Sequence, residues 1–196
     1  MTSASLRLFV AAEIPPVLRE ACTSLLAEAR HAFPAARWAR PEGMHLTLKF
    51  LGATPEERLD RVTDAIAAPA RRAAPFDLLT GPPGLFGPPS RPRVLWIALE
   101  GDLTAAGRLV KDLEDEAALL GFAREERPFR PHLTLARFDP ARGATLPEDL
   151  LARAERALAG IPFPVGEVVL FQSILGPAGS RYVPQRRFPL GTDLGA

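Results

Sequence analysis

The sequence predicts an α+β protein whose sheets are antiparallel or mixed. Stretches with alternating apolar residues, typical of strands, are interleaved with stretches whose apolar residues lie three and four apart, typical of amphipathic helices. Strands outnumber helices, and several successive strands have no helix between them, which disfavours a doubly wound parallel sheet. The 196 residues suffice for one large domain or for two closely packed lobes.

Two strand–helix units are predicted in the amino-terminal part of the chain. The strand Leu6–Ile14 ends at two prolines, which are tolerated in the first turn of the helix predicted over Val17–His31. A second strand, Met44–Gly52, precedes a helix over Pro55–Ala68, for which Thr54 is the expected N-cap. The apolar spacing of the first helix indicates one buried face.

The middle of the chain contains a segment that cannot be helical. A short strand, Phe76–Leu79, is followed by a turn-rich loop over Gly81–Pro92, and a strand over Val94–Leu99 comes next. The prolines of the loop remove amides that a phosphate cradle would use. No glycine-rich nucleotide-binding loop of either known type is present in the sequence.

The carboxyl-terminal part again alternates helices and strands, and two of the helices end at a glycine that can serve as a C-terminal cap. The predicted elements are a helix from Asp102 or Thr104 to Leu120 capped by Gly121, a strand over Phe129–Phe138, a helix over Pro147–Leu158 ending at Gly160, one long or two short strands over Phe163–Leu175, and a last strand over Arg181–Leu190. We expect residues 1–190 to form a single domain and residues 191–196 to form a short frayed tail.

The cysteine content excludes two kinds of site, whereas the net charge neither demands nor excludes a nucleic-acid partner. The net charge is +1, from 24 Lys and Arg against 23 Asp and Glu, whereas a protein that coats long nucleic acids usually has a clear basic excess. Cys22 is the only cysteine, which excludes an intramolecular disulfide and a cysteine-ligated metal cluster. No apolar run is long enough to span a membrane. We expect a cytoplasmic protein, and a small or terminal substrate held by a few local cations is compatible with the net charge.

A repeated tetrapeptide is the most informative feature of the sequence. Two of the three histidines begin the sequence His-Leu-Thr-Leu, at His45–Leu48 and at His132–Leu135, which lie 132 − 45 = 87 residues apart. Successive side chains of a strand alternate between its two faces. Each copy therefore presents an imidazole and a hydroxyl to one surface, and it presents two leucines to a core.

Two such strands across a cleft would suit the hydrolysis of a phosphodiester. A neutral imidazole can accept a proton from water, and a protonated one can donate to the departing alkoxide. Histidine suits both roles because its ordinary pKa is about 6.5, and such proton transfer contributes about 10²–10⁴-fold. The hydroxyls of Thr47 and Thr134 are positioned to donate to phosphate oxygens. Neither motif contains a carboxylate, so the sequence predicts no metal and no cofactor.

A structural interpretation of the histidines also has to be considered. A single His-x-Thr in a strand is often only structural, since threonine has a high strand propensity. Two identical copies that use two of three histidines favour a functional interpretation. The third histidine, His31, ends the first predicted helix, where a cation interacts favourably with the helix dipole, and we interpret it as structural.

The paired motifs resemble those of the two-histidine phosphoesterase superfamily, which is defined by two His-x-Thr-x motifs. Within it, the chain is similar to the bacterial and archaeal RNA 2′,3′-cyclic phosphodiesterases, also called 2′-5′ RNA ligases. The similarity extends over nearly the whole chain and is carried by Arg7–Ala11, Trp38, His45–Gly52, Arg93–Trp96, Pro131–Arg137 and Arg181–Pro184. The resemblance implies a bilobal fold with pseudo-twofold symmetry, in which two antiparallel sheets face a central cleft and helices cover their outer faces.

The resemblance also implies a reaction and a set of site residues. The reaction opens a terminal 2′,3′-cyclic phosphate of RNA to a 2′-phosphate, with His45 as proton donor and His132 as proton acceptor. Arg137 resembles a phosphate-contacting arginine, and Phe50 resembles an aromatic residue that stacks on the terminal base. Tyr182 is a further candidate for the cleft wall. The implied partners are RNA ends or cyclic-phosphate nucleotides, and we expect a monomer without an obligate protein partner.

Strict alternation places Arg137 and Phe50 on the face opposite the histidines. Three explanations are open: the strands twist or bulge there, the long side chains wrap round the strand, or these residues belong to the core and the surface.

Other functions are also compatible with the sequence. A ligase would join 2′,3′-cyclic phosphate and 5′-hydroxyl ends by the reverse reaction without ATP, although the excess of water favours hydrolysis. An RNA-end-binding module without turnover would not need the intact histidines and threonines of both motifs. A relative acting on ADP-ribose cyclic phosphate or on a small cyclic nucleotide would need the same chemistry on a smaller substrate.

Overall fold

The computed structural model describes residues 4–88, 91–139, 149–176 and 179–193, which form an α+β fold with two antiparallel sheets. The strands are β1 (Ser5–Glu13), β2 (Arg37–Trp38), β3 (His45–Pro55), β4 (Phe76–Phe86), β5 (Val94–Gly101), β6 (His132–Arg137), β7 (Pro162–Val165), β8 (Glu167–Gly176) and β9 (Gly179–Pro189). The α-helices are α1 (Pro16–Ala32), α2 (Leu59–Arg72), α3 (Leu103–Leu119) and α4 (Leu150–Leu158). None of the helices in these ranges is long and apolar enough to cross a membrane.

Each sheet contains strands from both halves of the chain. The strand order is β3-β1-β8-β9 in the first sheet and β2-β6-β5-β4-β7 in the second, and all paired strands are antiparallel. The strand β4 from the first half pairs with β5, and β8 from the second half pairs with β1. Because the halves exchange strands in this way, neither sheet is complete without the other half.

The two halves repeat the same order of elements, which confirms the predicted pseudo-twofold symmetry. A strand, a helix and a motif strand occur in this order as β1-α1-β3, with the short β2 between α1 and β3, and as β5-α3-β6. The helices α1 and α3 both have 17 residues, and their first residues lie 103 − 16 = 87 positions apart, which is the spacing of the two motif histidines. The motif strands are therefore equivalent elements of a duplicated unit.

The motif leucines anchor both strands in the core under the helices. Each is at most 4% exposed: Leu46, Leu48, Leu133 and Leu135. They pack in one cluster with apolar residues of all four helices, among them Leu26, Ile66, Leu109 and Leu158. Burying one such side chain contributes about 1.5–3 kcal/mol to stability. The assignment of the leucines to a core is confirmed.

The predicted loop over Gly81–Pro92 is partly wrong, because β4 continues to Phe86. The prolines are tolerated for two reasons. The ladder with β5 has an irregularity between Thr80 and Pro83, and strand irregularities are sites that accept proline. In addition, β7 pairs with Phe76–Leu79, and no strand among the described residues pairs with Gly81–Phe86 on that side.

Thr54 is not a helix cap. The strand β3 continues through Pro55, a 3-10 turn follows, and α2 begins only at Leu59. The hydroxyl of Thr54 donates instead to the carbonyl of Gly52 at 3.2 Å. Pairing with β1, which extends to Ser5 opposite Pro55, overrides the local capping signal.

Other predictions for the second half are partly confirmed. The strand expected from Phe129 begins only at His132. The stretch after α4 forms two strands, β7 and β8, which is one of the two predicted alternatives, and these strands belong to different sheets. Gly121 caps α3 as predicted, because its amide and that of Phe122 donate to the last turn. The predicted start of α4 at Pro147 lies outside the described residues.

The beginning of the predicted tail is not frayed. The amide of Gly191 donates to the carbonyl of Ala70 at 3.2 Å, and the amide of Asp193 donates to the carbonyl of Arg71 at 3.2 Å. These bonds fix residues 191–193 to the end of α2. Residues 194–196 lie outside the described part of the chain.

Candidate active site

Both motif histidines lie on the cleft side of their strands. The strand β3 forms one edge of the first sheet, β6 lies beside the short edge strand β2 in the second, and the two motif strands contact each other. His45 and His132 are half-buried, and a positive charge on His132 would lower the pKa of His45. The two imidazoles therefore face a common space, as the repeated motif predicts.

A backbone carbonyl holds each imidazole in the same way. The Nδ1 atom of His45 lies 2.7 Å from the carbonyl oxygen of Gly43, and that of His132 lies 2.7 Å from the carbonyl oxygen of Arg130. A carbonyl only accepts hydrogen bonds, so Nδ1 carries the proton in both rings. The Nε2 atom of each ring is left for the cleft, where it accepts a proton when the ring is neutral and donates one when it is charged.

Aromatic rings surround His45 on the cleft face of the first sheet. The centroid of its ring lies 4.8 Å from that of Phe9, 5.0 Å from that of Tyr182 and 6.3 Å from that of Phe171. Phe9 and Phe171 stack at 5.4 Å and belong to a small apolar cluster separate from the main core. This cluster forms an apolar wall behind the imidazole.

A second aromatic group surrounds His132. The ring of Phe86 is perpendicular to that of His132 at 5.1 Å, and the ring of Trp96 lies 6.2 Å away. Trp96 lies over Gly84 on the neighbouring strand, where a Cβ atom would be only 2.3 Å from the indole Cζ2. The indole Nε1 is buried and has no hydrogen-bond partner among the described residues. Gly84 is therefore required for the position of Trp96.

Both motif strands contain an irregularity at the same place. The ladder between β1 and β3 skips Leu48, and the consecutive residues Leu48 and Lys49 are both buried. The ladder between β5 and β6 skips Leu135, and Leu135 and Ala136 are both buried. In β3 the ammonium of Lys49 binds the carboxylate of Glu114 on α3 at 2.6 Å. Each motif is thus followed by a β-bulge that keeps two successive residues on the core side.

The bulges return Phe50 and Arg137 to the histidine face. These residues occupy equivalent positions, since 50 − 45 = 5 and 137 − 132 = 5. Phe50 is 61% exposed, which excludes a core role, and its ring lies 5.9 Å from that of Phe9. The charge of Arg137 acts on both His45 and His132. A bulge is therefore the explanation that applies to both residues.

The threonines of the two motifs complete the polar groups on these faces. Thr47 and Thr134 are half-buried, and neither hydroxyl bonds to another described residue, so both are available to a bound molecule. Within residues 4–88, 91–139, 149–176 and 179–193, no three His, Cys, Asp or Glu side chains are grouped so that they could hold a metal ion. Two imidazoles, two hydroxyls and one guanidinium together can bind an anion and transfer protons to and from it.

Sequence reasoning missed the aromatic support of the histidines. Phe9 and Trp96 stand behind His45 and His132, but their strands contain no motif. A signal was available, because 96 − 9 = 87 is also the spacing of the histidines, which makes the two aromatics equivalent positions of the repeat. The role of Gly84 depends on its contact with a different strand and has no local signature.

Burial lowers the pKa of both cleft histidines. Desolvation disfavours the charged rings, the bonds from Nδ1 to the carbonyls of Gly43 and Arg130 act in the opposite direction, and the cation of Arg137 lowers the pKa of both rings further. The charge of His132 also lowers the pKa of His45. Without an anion between them, both rings therefore favour the neutral form. A bound phosphate would favour protonation of one of them.

Opposed antiparallel sheets that carry paired His-x-Thr motifs across one cleft define a two-histidine phosphoesterase. The family model described as the 2′-5′ RNA ligase superfamily matches residues 14–176. The chain belongs to this superfamily.

Curated relatives from several organisms share the name RNA 2′,3′-cyclic phosphodiesterase. The protein of Thermus thermophilus is 34% identical over 198 aligned residues, which cover 97% of this chain and 93% of that protein. The protein of Archaeoglobus fulgidus is 33% identical over 185 residues, covering 93% of this chain and 99% of that protein. A longer relative from Geobacillus stearothermophilus is 30% identical over 182 residues, and the match spans only 56% of its length.

Solved structures with the same fold cover nearly the whole chain. The crystal structure of the protein TT0787 of Thermus thermophilus has a TM-score of 0.79 at 29% identity and covers 95% of this chain and 98% of its own. The apo form of LigT of E. coli has a TM-score of 0.72 at 27% identity and covers 96% of this chain and 99% of its own.

We predict that Gly84→Ala displaces Trp96 and disturbs His132. The new methyl group would collide with the indole ring, and overpacking of this kind costs about 1–3 kcal/mol of stability. A small shift of a proton-transferring ring lowers turnover by up to about 10²-fold. Urea denaturation and turnover of a cyclic phosphate measure the two effects. In the control, Gly107→Ala on α3, the new Cβ has no neighbour within 4 Å and turnover is retained. Wild-type turnover in Gly84→Ala would refute the role of this glycine.

We also predict that Arg137→Gln raises the pKa of both cleft histidines. The substitution removes a cation that disfavours both imidazolium forms, so each ring becomes protonated at a higher pH. An NMR titration of the imidazole resonances measures both values, and wild-type rings should titrate below about 6.5. Arg108→Gln on the outer helix α3 is the matched control. A pKa that changes at only one histidine in Arg137→Gln would contradict the placement of this arginine between the two.

Proposed function

We propose that this protein hydrolyses the terminal 2′,3′-cyclic phosphate of RNA to a 2′-phosphate. The observation that carries the proposal is the pair of opposed imidazoles, each with Nδ1 bound to a carbonyl and Nε2 available to the cleft. The relatives named RNA 2′,3′-cyclic phosphodiesterase support the choice of substrate. LigT of E. coli, which shares the fold, has been solved with 3′-AMP, which supports a nucleotide as the bound group.

In the proposed reaction, water attacks the phosphorus and the bond from phosphorus to O3′ breaks. His132 accepts one proton of the water through Nε2, and the remaining hydroxyl stays on phosphorus. His45 donates the proton on its Nε2 to the departing O3′, which leaves a 2′-phosphate and a 3′-hydroxyl. Exchange of one proton with solvent restores a charged His45 and a neutral His132, so that the protein is unchanged after each turnover.

The order of the two histidines rests on the resemblance to the family, because the two motifs are identical. The electrostatics of the cleft also determine when the donor histidine is charged. Both rings favour the neutral form when the cleft is empty, whereas the reaction needs one of them charged. The negative charge of the cyclic phosphate favours the charged form of one ring, since an anion near an imidazole raises its pKa. Substrate binding thus prepares the donor.

The other cleft residues are assigned to binding the substrate. The hydroxyls of Thr47 and Thr134 donate to the non-bridging phosphate oxygens, and Arg137 offsets the charge that develops there. The exposed ring of Phe50 stacks on the terminal base, a role that any base can satisfy. Tyr182, perpendicular to His45, forms the cleft wall beside the ribose. The same groups would serve the reverse ligation with a 5′-hydroxyl in place of water, but no feature of the described cleft residues favours that direction.

The proposals on oligomeric state, domain organisation and location rest on the sheet topology and on composition. We propose that the protein acts as a monomer without an obligate protein partner. We also propose that residues 1–190 work as one domain, since the exchanged strands make each sheet depend on both halves. A cytoplasmic location is proposed on composition alone, from the single cysteine.

We predict that the protein opens an RNA 2′,3′-cyclic phosphate in the presence of EDTA and yields only the 2′-phosphate. His45→Ala and His132→Ala should each lower turnover by about 10²–10⁴-fold, because each removes one proton transfer, while RNA binding is largely retained. Chromatography of the products measures the reaction and its regiochemistry. The matched control is His31→Ala, at the end of α1 and outside the cleft.

Three outcomes would contradict this proposal. A strict need for a divalent metal would exclude the two-histidine mechanism. A 3′-phosphate product would mean that the other ester bond breaks. Tight binding of the RNA end without any product would identify the protein as a binding module instead.

A further inference from the structure

Arg37 lies directly opposite Arg137 on the cleft face of the second sheet. The edge strand β2 pairs with β6 through Arg37 with Arg137 and Trp38 with Ala136. Directly opposed residues of an antiparallel pair project to the same face. The bulge in β6 turns Arg137 to the histidine face, so Arg37 faces the same way. Both side chains are exposed.

This juxtaposition of two cations is unfavourable without an anion. Like charges directly opposite each other destabilise a strand pair. In the described part of the chain, neither Arg37 nor Arg137 forms an ion pair or a hydrogen bond through its side chain with another residue. Most of the ion pairs in that part of the chain do contain an arginine. Two guanidinium groups side by side are well suited to an anion that both can bind, and planar bidentate recognition of phosphate is a typical role of arginine.

The position of the pair relative to the histidines indicates which phosphate it binds. The charge of Arg137 acts on both imidazoles, so Arg137 lies close to the proposed position of the reacting phosphate. Arg37 lies one strand further out, at a spacing of about 4.7–4.9 Å between neighbouring strands, on the edge of the sheet. A nucleoside 2′,3′-cyclic phosphate has a single phosphate group, which in the proposed function would lie among the histidines, the threonines and Arg137. An RNA chain has a second phosphate, on the 5′ side of its terminal nucleoside.

We propose that Arg37, together with Arg137, forms a subsite for the phosphodiester that precedes the terminal nucleotide. This inference rests on the proposed function and deepens it, because the subsite makes the enzyme selective for oligonucleotide ends over mononucleoside cyclic phosphates. Arg37 is a specificity-determining residue and takes no part in proton transfer.

The test compares two substrates with the same reacting group. One is cytidine 2′,3′-cyclic phosphate, and the other is a dinucleotide that ends in the same cyclic phosphate. We expect the wild-type protein to prefer the dinucleotide in kcat/KM. Arg37→Gln should lower that preference about tenfold, equivalent to about 1.4 kcal/mol, through a higher KM for the dinucleotide. Increasing salt should reduce the wild-type preference more than that of the variant, because one phosphate contact is lost in the variant.

Arg108→Gln is the matched control, since it removes an exposed arginine from the outer helix α3 and should retain the wild-type preference. If the wild-type protein opens both substrates but shows no preference, or if Arg37→Gln retains the preference, the subsite is refuted and the proposed function stands. If the wild-type protein opens neither substrate, the proposed function is refuted and the subsite with it.

Discussion

A β-bulge at the same place in both motif strands determines which side chains reach the cleft. Without it, strict alternation would bury Phe50 and Arg137 or turn them to the helix side. With it, two successive residues of each strand remain in the core, and the fifth residue after each histidine returns to the face of the histidines. In β3 the arrangement is fixed by the ion pair of Lys49 with Glu114, in which the lysine side chain is 3% exposed. A buried ion pair of this kind is costly to break, by about 3–5 kcal/mol.

The duplicated fold makes the two halves of the site similar in form but different in chemistry. Each half supplies a histidine held by a carbonyl, a threonine and an aromatic wall. The position after the bulge is an aromatic ring in one half and a guanidinium in the other. The difference matches a terminal nucleotide, which has a base with an apolar face on one side and a phosphate with negative charge on the other. In the proposed function, one repeated arrangement would thus provide both kinds of contact through a difference at one equivalent position.

The sequence predicted much of this site, because the repeated motif is a local pattern with a defined geometry. Alternation assigned His45 and Thr47 to the cleft and Leu46 to the core. It failed after Leu48 because a bulge depends on how two strands pair, which no single strand encodes. Tertiary pairing likewise made a strand of Gly81–Phe86 and left Thr54 inside a strand. The opposed pair Arg37 and Arg137 could be found only once β2, a strand of two residues, was seen beside β6.

In the proposed mechanism, His45 donates a proton and His132 accepts one in the same cleft. The most direct test is the dependence of kcat/KM on pH for the wild-type protein and for His45→Ala and His132→Ala. We expect a bell-shaped profile for the wild type. The residual activity of His45→Ala should lose the decline at high pH, and that of His132→Ala should lose the decline at low pH. Profiles in which the two variants lose the opposite limbs would reverse the assignment. A bell that persists in both variants would contradict the two-histidine mechanism.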